Sequence, residues 1–278
     1  MLIDVAVIGG GASGTTTAFH LANKGKSTCI LEKNIYCPIR NCAGGVSAAV
    51  QKWFPFKLEP IVDEVIKNVE FTWCLSDKVV AEISGPSPFW IVKRENLDSF
   101  LLDQALNSGC NLLTAFHVIK IKKNKSNIWQ ITALDGRQIE AKAVVIADGS
   151  QSPWPKTFNL GPKKQKFAST FSGRVKRKGN LKNETARFEF GLVSNGFAWA
   201  FPLNNEVNIG MGTFLDNKDS MPVEEILNLF LPDLGFDPSE VNVQQKKLRV
   251  WNGHSNLNGD GILLVGDAAS LCDPFLAE

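Results

Sequence analysis

The residues best placed to do chemistry stand at the start of the chain, where Gly9, Gly11 and Gly14 fall as G-x-G-x-x-G within Gly9-Gly10-Gly11-Ala12-Ser13-Gly14. At this spacing each glycine has its own duty: a tight turn, close approach of backbone to a pyrophosphate, and close packing of helix on strand. The acid Glu32 ends a second apolar run further on, with Lys33 beside it, and is placed to accept ribose hydroxyls. Three elements must position these groups. The apolar run Leu2 to Ile8 delivers the loop, a helix-like stretch from Thr15 to Lys24 follows, and a short strand leads to Glu32. The helix start then offers free N–H groups and a positive dipole end to the phosphates at Gly9 to Gly14, Ala12 and Ser13 included. A purely structural turn would account for the glycines alone. Strand, glycines, helix, strand and acid in register predict a dinucleotide site.

The rest of the chain selects among dinucleotides. In an NAD-dependent dehydrogenase further βαβ units usually follow, whereas here Glu32 leads into a loop from Lys33 to Gly45 and then into mixed strand-like patterns. The segment from Trp90 to Asp98 predicts the opening of an amphipathic helix, with Leu97, Leu101, Leu102, Ala105 and Leu106 on one stripe. Arg94 at its start opposes the helix dipole. It is either a solvated cation or the partner of an anion such as a flavin pyrophosphate. Ala143 to Ile146 reads as a buried strand running into Ala147-Asp148-Gly149-Ser150. A last strand from Gly259 carries Gly266-Asp267-Ala268-Ala269 at its carboxyl end, the edge where open α/β sheets bind ligands. These signals fit FAD.

The order G-x-G-x-x-G, acid, R-x-x-L-D, A-D-G-S and G-D-A-A resembles the flavoprotein superfamily with the p-hydroxybenzoate hydroxylase-like fold. Further stretches resemble geranylgeranyl reductases within it. Arg40-Asn41-Cys42-Ala43-Gly44-Gly45-Val46 is similar to their K-x-C-G-G-G-L loop. Gly196-Phe197-Ala198-Trp199-Ala200-Phe201-Pro202, with Val207 to Gly212 after it, is similar to their Y-x-W-x-F-P segment and following strand. Gly266 to Ser270 and Asp273 to Glu278 are similar to G-D-A-A-G…P-x-x-G-E-G-I. The chain departs from the pattern at Arg40 (for lysine), Ala43 (for glycine), Ser194 (where proline is usual), Phe197 (for tyrosine) and Ala277 (for glycine).

The resemblance implies an α/β fold, a Rossmann-like FAD-binding domain interlocked with a mixed or antiparallel-sheet substrate domain. The organisation expected is discontinuous: residues 1–65, 90–155 and 252–278 for FAD, and 66–89 and 156–251 for substrate, with a C-terminal part that is short or missing relative to similar reductases. In the substrate part Lys166 to Val175, Ala186 to Val193, Phe197 to Pro202 and Glu206 to Thr213 alternate like antiparallel strands, with turns at Gly179-Asn180, Ser194-Asn195 and Asn204-Asn205. A helix is expected from Met221-Pro222 to near Pro232. The implied FAD contacts are Gly9, Gly11, Ala12, Ser13, Gly14, Glu32, Lys33, Cys42, Ala43, Gly44, Arg94, Val118 at the adenine end, Asp148, Gly149, and Asp267 near the ribityl chain and pyrophosphate. The implied substrate pocket is Gly45, Phe197, Trp199, Phe201 and Pro202, with Cys42, on the ring face of the flavin. The two glycines would let backbone approach the ring.

The implied reaction is reduction of an isoprenoid double bond. N5 of reduced FAD gives hydride to one alkene carbon and an acid or water protonates the other; a C20 chain buried at ~0.8 kcal/mol per methylene supplies the binding energy. Cys42 is the candidate proton donor, since a thiol near its usual pKa of ~8.5 is protonated at neutral pH. NADPH is the expected external electron donor. It would be held only transiently, because no second G-x-G-x-x-G occurs after Gly149. Other readings stay open. Halogenases carry W-x-W-x-I-P, close to residues 197–202, so an oxygenating flavoenzyme is one; a degenerate flavin-binding protein is another. The pair Cys37 and Cys42 is similar to the redox pair of disulfide reductases, but here the glycines follow the second cysteine. Phe197, Trp199 and Phe201 on one strand face would equally suit an ordinary core.

Composition sets limits. At 278 residues and 44% hydrophobic, the chain is long enough for one large core or two interlocked domains. Six cysteines without regular spacing, and no signal-peptide pattern, are what a reducing cytoplasm allows. No apolar run approaches the ~20 residues that span a bilayer. A net charge of +2 argues against nucleic acid as the main partner. Lys163 to Lys182 nevertheless holds eight basic residues and no acid, which is either a solvated surface or a peripheral contact with anionic lipid. His20, His117 and His254 are scattered, so no metal site is expected.

Overall fold

A computed structural model describes residues 2–35, 42–85, 89–178, 182–214 and 221–275. The chain divides into two compact units, Met1–Ile39, Leu97–Lys166 and Arg249–Cys272 in the first, Arg40–Asn96, Phe167–Leu248 and Asp273–Glu278 in the second.

The first unit is built on an eight-stranded sheet among the described residues. Leu2–Ile8 lies between Thr28–Leu31 and Gln138–Ile146, parallel to both, with Asn111–Leu113 beyond the former and Ile262–Leu264 beyond the latter. The pairs run as near-continuous apolar strings, as a sheet covered on both faces requires. Trp129–Ala133 and Val118–Lys123 extend Gln138–Ile146 as an antiparallel meander. Ile3, Phe116, Ile131, Val144 and Ile146, all under 2% exposed, lie in its core.

In the second unit a seven-stranded sheet runs Gln244–Val250, Lys166–Lys176, Glu206–Thr213, Gly196–Pro202, Thr185–Phe190, Asn68–Trp73, Ser76–Glu82. The expected antiparallel strands are present, and Glu206–Thr213 matches its predicted bounds. Thr185–Phe190 pairs parallel with Asn68–Trp73. Side chains alternate across a strand. Ala198, Ala200, Val207 and Ile209 therefore face the helix Val223–Asp233 and its buried Ile226, Phe230 and Leu231. Phe197, Trp199 and Phe201 face the other way.

Two expectations are corrected. Trp90 does not open a helix: Phe89–Val92 is the central strand of a three-stranded sheet, antiparallel to Gly45–Ser47 and Val62–Ile66, and the helix is Arg94–Asn107. Its buried stripe is Asp98, Leu101 and Ala105, while Leu106 is 37% exposed; the buried face is turned from the one that leucine spacing suggested. That same small sheet draws residues 40–65 and 90–96 into the second unit, where the sequence placed them with the first.

Candidate functional site

In the first unit three separated motifs meet at the carboxyl ends of adjacent parallel strands. Gly9 sits at φ +105°, and a Cβ there would lie 2.5 Å from the Ala147 carbonyl oxygen, just before Asp148-Gly149. A Cβ on Gly14 would lie 2.0 Å from the Gly9 carbonyl oxygen, and one on Gly266 would lie 2.6 Å from Ser13 Oγ. The helix Ala12–Asn23 opens at Gly11 with no side-chain cap and no acid in its first turn. Its first N–H groups are thus left for a ligand, and an anion is what such an end favours.

Glu32 is 9% exposed and closes the loop from the side. Its Oε2 accepts the Gly10 N–H at 2.7 Å, and Oε1 accepts the Asn34 N–H at 2.9 Å and Nδ2 at 2.7 Å. A carboxylate offers about four acceptor positions, so Glu32 holds the glycine loop and keeps capacity for one hydroxyl. Asp148 is half-buried, burial pushes its carboxyl up from the usual range, and its Oδ1 has no partner. Gly149, at φ +88°, turns the chain after it.

Sequence reasoning missed Arg249. It is 6% exposed, Nη2 donates to the Ser152 carbonyl at 2.7 Å, and Nε and Nη1 have no partner. Burial lowers its pKa, opposed by the charges of Asp148 and Asp267. The signal was a charge inside the apolar end Leu248-Arg249-Val250. Unfilled buried polar atoms beside an uncapped helix end suit a polar phosphorylated cofactor, and FAD fits on these grounds. Lys33 is exposed, and Val118 is packed in the first unit's core at 9% exposure.

The second unit assembles the other candidate residues. Phe197 (4% exposed), Trp199 (4%) and Phe201 (4%) form a buried row on Gly196–Pro202. Phe188 packs its ring 5.4 Å from that of Phe197 and 5.1 Å from that of Phe201. Asn208, on the neighbouring strand, joins this wall to the Cys42 loop. Its Oδ1 accepts Trp199 Nε1–H at 3.0 Å, and its Nδ2 donates to the Cys42 carbonyl at 2.8 Å. Gly210 is register partner to Trp199 and must be small, since a Cβ would lie 2.4 Å from the indole. Cys42 Sγ is 3.9 Å from Arg94 Nη1. The pattern signal for Asn208 was a polar residue inside the otherwise apolar stretch 207–212, on the Trp199 face of the strand.

Gly44 and Gly45 have a reason other than the expected approach to a ring. Gly44, at φ +83°, would put a Cβ 2.3 Å from the Val92 carbonyl oxygen, and Gly45 would put one 2.6 Å from Phe89 Cζ. Both let the Cys42 loop close on the strand Phe89–Val92, whose Val92 N–H donates to the Gly44 carbonyl at 2.9 Å. Ala43 is half-buried beside them, and Pro202 is buried at the end of the aromatic strand.

Cys37, Arg40, Asn41, the turn Gly179-Asn180, Ala277 and Glu278 lie outside the described residues. Cys29, Cys42, Cys74, Cys110 and Cys272 are free thiols. Burial pushes Cys29 up to about 12 and Cys110 up to about 11. Among the described residues no group of His, Cys, Asp and Glu could hold a metal, and no helix is long and apolar enough to cross a membrane. The basic run Lys163 to Lys182 is not a uniform patch. Arg174 pairs with Glu95, Arg177 with Glu64 and Lys178 with Glu240.

Comparison with known proteins gives four findings. Residues 3–185 match the pyridine nucleotide-disulphide oxidoreductase family. The chain is 29% identical over 288 aligned positions to digeranylgeranylglycerophospholipid reductase 2 of Methanothermobacter thermautotrophicus, covering 99% of this chain and 73% of that one. Its fold superposes on a geranylgeranyl bacteriochlorophyll reductase-like protein from Thermoplasma acidophilum with a TM-score of 0.82 at 20% identity, covering 98% of this chain and 72% of that chain. A myxobacterial chondrochloren halogenase, described as a variant of FAD-dependent halogenases, shares the fold with a TM-score of 0.75 at 17% identity, covering 98% and 70%.

Proposed function

The chain belongs to the pyridine nucleotide-disulphide oxidoreductase family and is a geranylgeranyl reductase-like, FAD-dependent oxidoreductase; from that premise we propose that it saturates isoprenoid carbon–carbon double bonds, the first unit holding FAD and the second seating the prenyl chain. In this reading the uncapped helix end at Gly11 to Gly14 takes the pyrophosphate and Glu32 the ribose. Asp148, Gly149 and Asp267 border the same loop, and Lys33 and Val118 serve the adenosine end. Bound and reduced, FAD supplies the hydride.

The second unit's residues do the rest. The observation that supports the substrate assignment is the clasp of Asn208 on both Trp199 and the Cys42 carbonyl, which ties the Cys42 loop to a buried aromatic wall. Phe197, Trp199, Phe201 and Pro202, with Gly45 at the loop, exclude water and hold an unactivated alkene in place, so that binding of non-reacting carbons serves the reaction. The Cys42 thiol then protonates the second alkene carbon and regains its proton from water. NADPH is the proposed electron donor, bound transiently, so a stable stoichiometric NADPH complex without substrate would contradict that part.

The spectrum and mass of small molecules that co-purify test the proposal. FAD and a prenyl lipid are expected; a chain purified without flavin, and unable to take it up, overturns it. Gly11→Val is expected to abolish flavin retention, and a variant with full flavin content refutes the pyrophosphate placement.

A further inference from the structure

The strand Gly45–Ser47 runs into a short 3₁₀ helix, Ala48–Trp53, where Ser47 Oγ accepts the Ala49 N–H at 3.3 Å. The chain that follows, Phe54-Pro55-Phe56-Lys57-Leu58, has no strand or helix to satisfy its backbone. Gln51 does so instead. Its Nε2 donates to the carbonyls of Phe56 (2.7 Å) and Phe54 (3.4 Å), and its Oε1 accepts the Leu58 N–H at 2.9 Å. Leu58, 2% exposed, anchors the far end, and the rings of Phe54 and Phe56 pack 5.0 Å apart. This shaped loop holds Trp53 outward, 64% exposed, with Lys52 Nζ 5.2 Å from its ring centroid. Lys57 is also outward, and its ion pair with Glu59 at 3.7 Å is solvated and exchangeable.

We propose that this loop anchors the protein on an anionic phospholipid surface, Trp53 entering at headgroup depth while Lys52 and Lys57 meet the phosphates. An exposed Trp on a backbone fixed by a dedicated glutamine is already ordered before it binds, so contact costs little conformational entropy. An indole, apolar with one N–H donor, suits the membrane interface. Flanking lysines with long apolar stems suit the same depth and an anionic partner. The assignment of a lipid rather than a protein partner rests on the proposed prenyl substrate, which must be collected from a bilayer. It also relocates the membrane contact expected at Lys163 to Lys182, where three of the eight cations are already paired within the chain.

The test is co-sedimentation of the FAD-loaded full chain with phosphatidylcholine vesicles containing phosphatidylglycerol. Trp53→Ala is expected to reduce partitioning roughly tenfold, Lys52→Glu with Lys57→Glu to remove the preference for anionic vesicles, and Lys166→Glu with Lys176→Glu to have little effect. Flavin content reports the fold of each variant, and reduction of a short, water-soluble prenyl substrate by Trp53→Ala should match the parent. Unchanged sedimentation of Trp53→Ala overturns the proposal. So does a parent that ignores vesicles but self-associates, or holds a protein partner, through Trp53. Loss of vesicle binding with no prenyl reduction by the parent or the variant would sink the substrate reading and leave the anchor standing.

Discussion

On the proposed reading both units hold a ligand, and they are built for it from different materials. The first uses backbone. Gly9, Gly14 and Gly266 are each pressed within 2.6 Å of a neighbour by the position a Cβ would take, and for Gly9 and Gly14 that neighbour is a carbonyl that cannot step aside. The second uses side chains on alternating strand faces, where a wall of Phe197, Trp199 and Phe201 is trimmed by a single amide, Asn208. A site made of backbone tolerates no substitution at its contacts. One made of side chains can change its occupant by changing residues, and the departures from the geranylgeranyl reductase pattern at Ala43 and Phe197 lie there.

Substitutions can break that contrast. Gly14→Ala should have the largest effect, because the intruding methyl meets backbone at 2.0 Å; loss of bound FAD is expected, with a cost of at least ~1–3 kcal/mol in stability, read by flavin absorbance and thermal melting. Trp199→Ala should leave flavin content intact and weaken binding of a long prenyl substrate by a few kcal/mol, with ~3–5 as the ceiling for truncating a buried Trp, read by titration. Equal flavin loss in both variants would erase the distinction between the units.

Asn208→Leu leaves the Trp199 N–H and the Cys42 carbonyl without their partner, at about 1–3 kcal/mol for each buried group left bare. It should lower kcat more than it raises KM, since it frees the loop rather than removing the wall. The smallest effect concerns Glu95, whose carboxyl Arg174 holds below its ordinary range through a bidentate pair, Nη1 at 2.5 Å and Nη2 at 2.8 Å. A lowered acid pKa stabilises the fold above the unfolded carboxylate's range, and that stability is lost as pH falls through the lowered value. Glu95→Gln should therefore be less stable by about 1 kcal/mol at neutral pH, and the stabilities of variant and parent should converge in acid.

The same contrast explains what could be read without the fold. The glycine loop, the strand before it and Glu32 were legible because local geometry dictates them over a short stretch. The strands from Lys166 to Thr213 were legible from alternation, and Glu206–Thr213 was placed to the residue. Trp90 was misread because apolar residues just before a helix and apolar residues in a short central strand look alike until Gly45–Ser47 and Val62–Ile66 are known to flank them. Arg249 and Asn208 escaped for a related reason. Each matters through a partner far along the chain, the Ser152 carbonyl and the Cys42 carbonyl, and no periodicity reports such a pairing. The basic run from Lys163 looked like a free surface for the same cause, its neutralising Glu64, Glu95 and Glu240 being remote in sequence.

Anaerobic single turnover tests the central claim most directly. The FAD-loaded chain is reduced chemically, mixed with a geranylgeranyl lipid, and followed by flavin absorbance and by the mass of the lipid. Flavin reoxidation matched by a gain of two hydrogens per double bond is the expected result. A flavin that stays reduced until oxygen is admitted, and then yields an oxygenated or halogenated product, would contradict it.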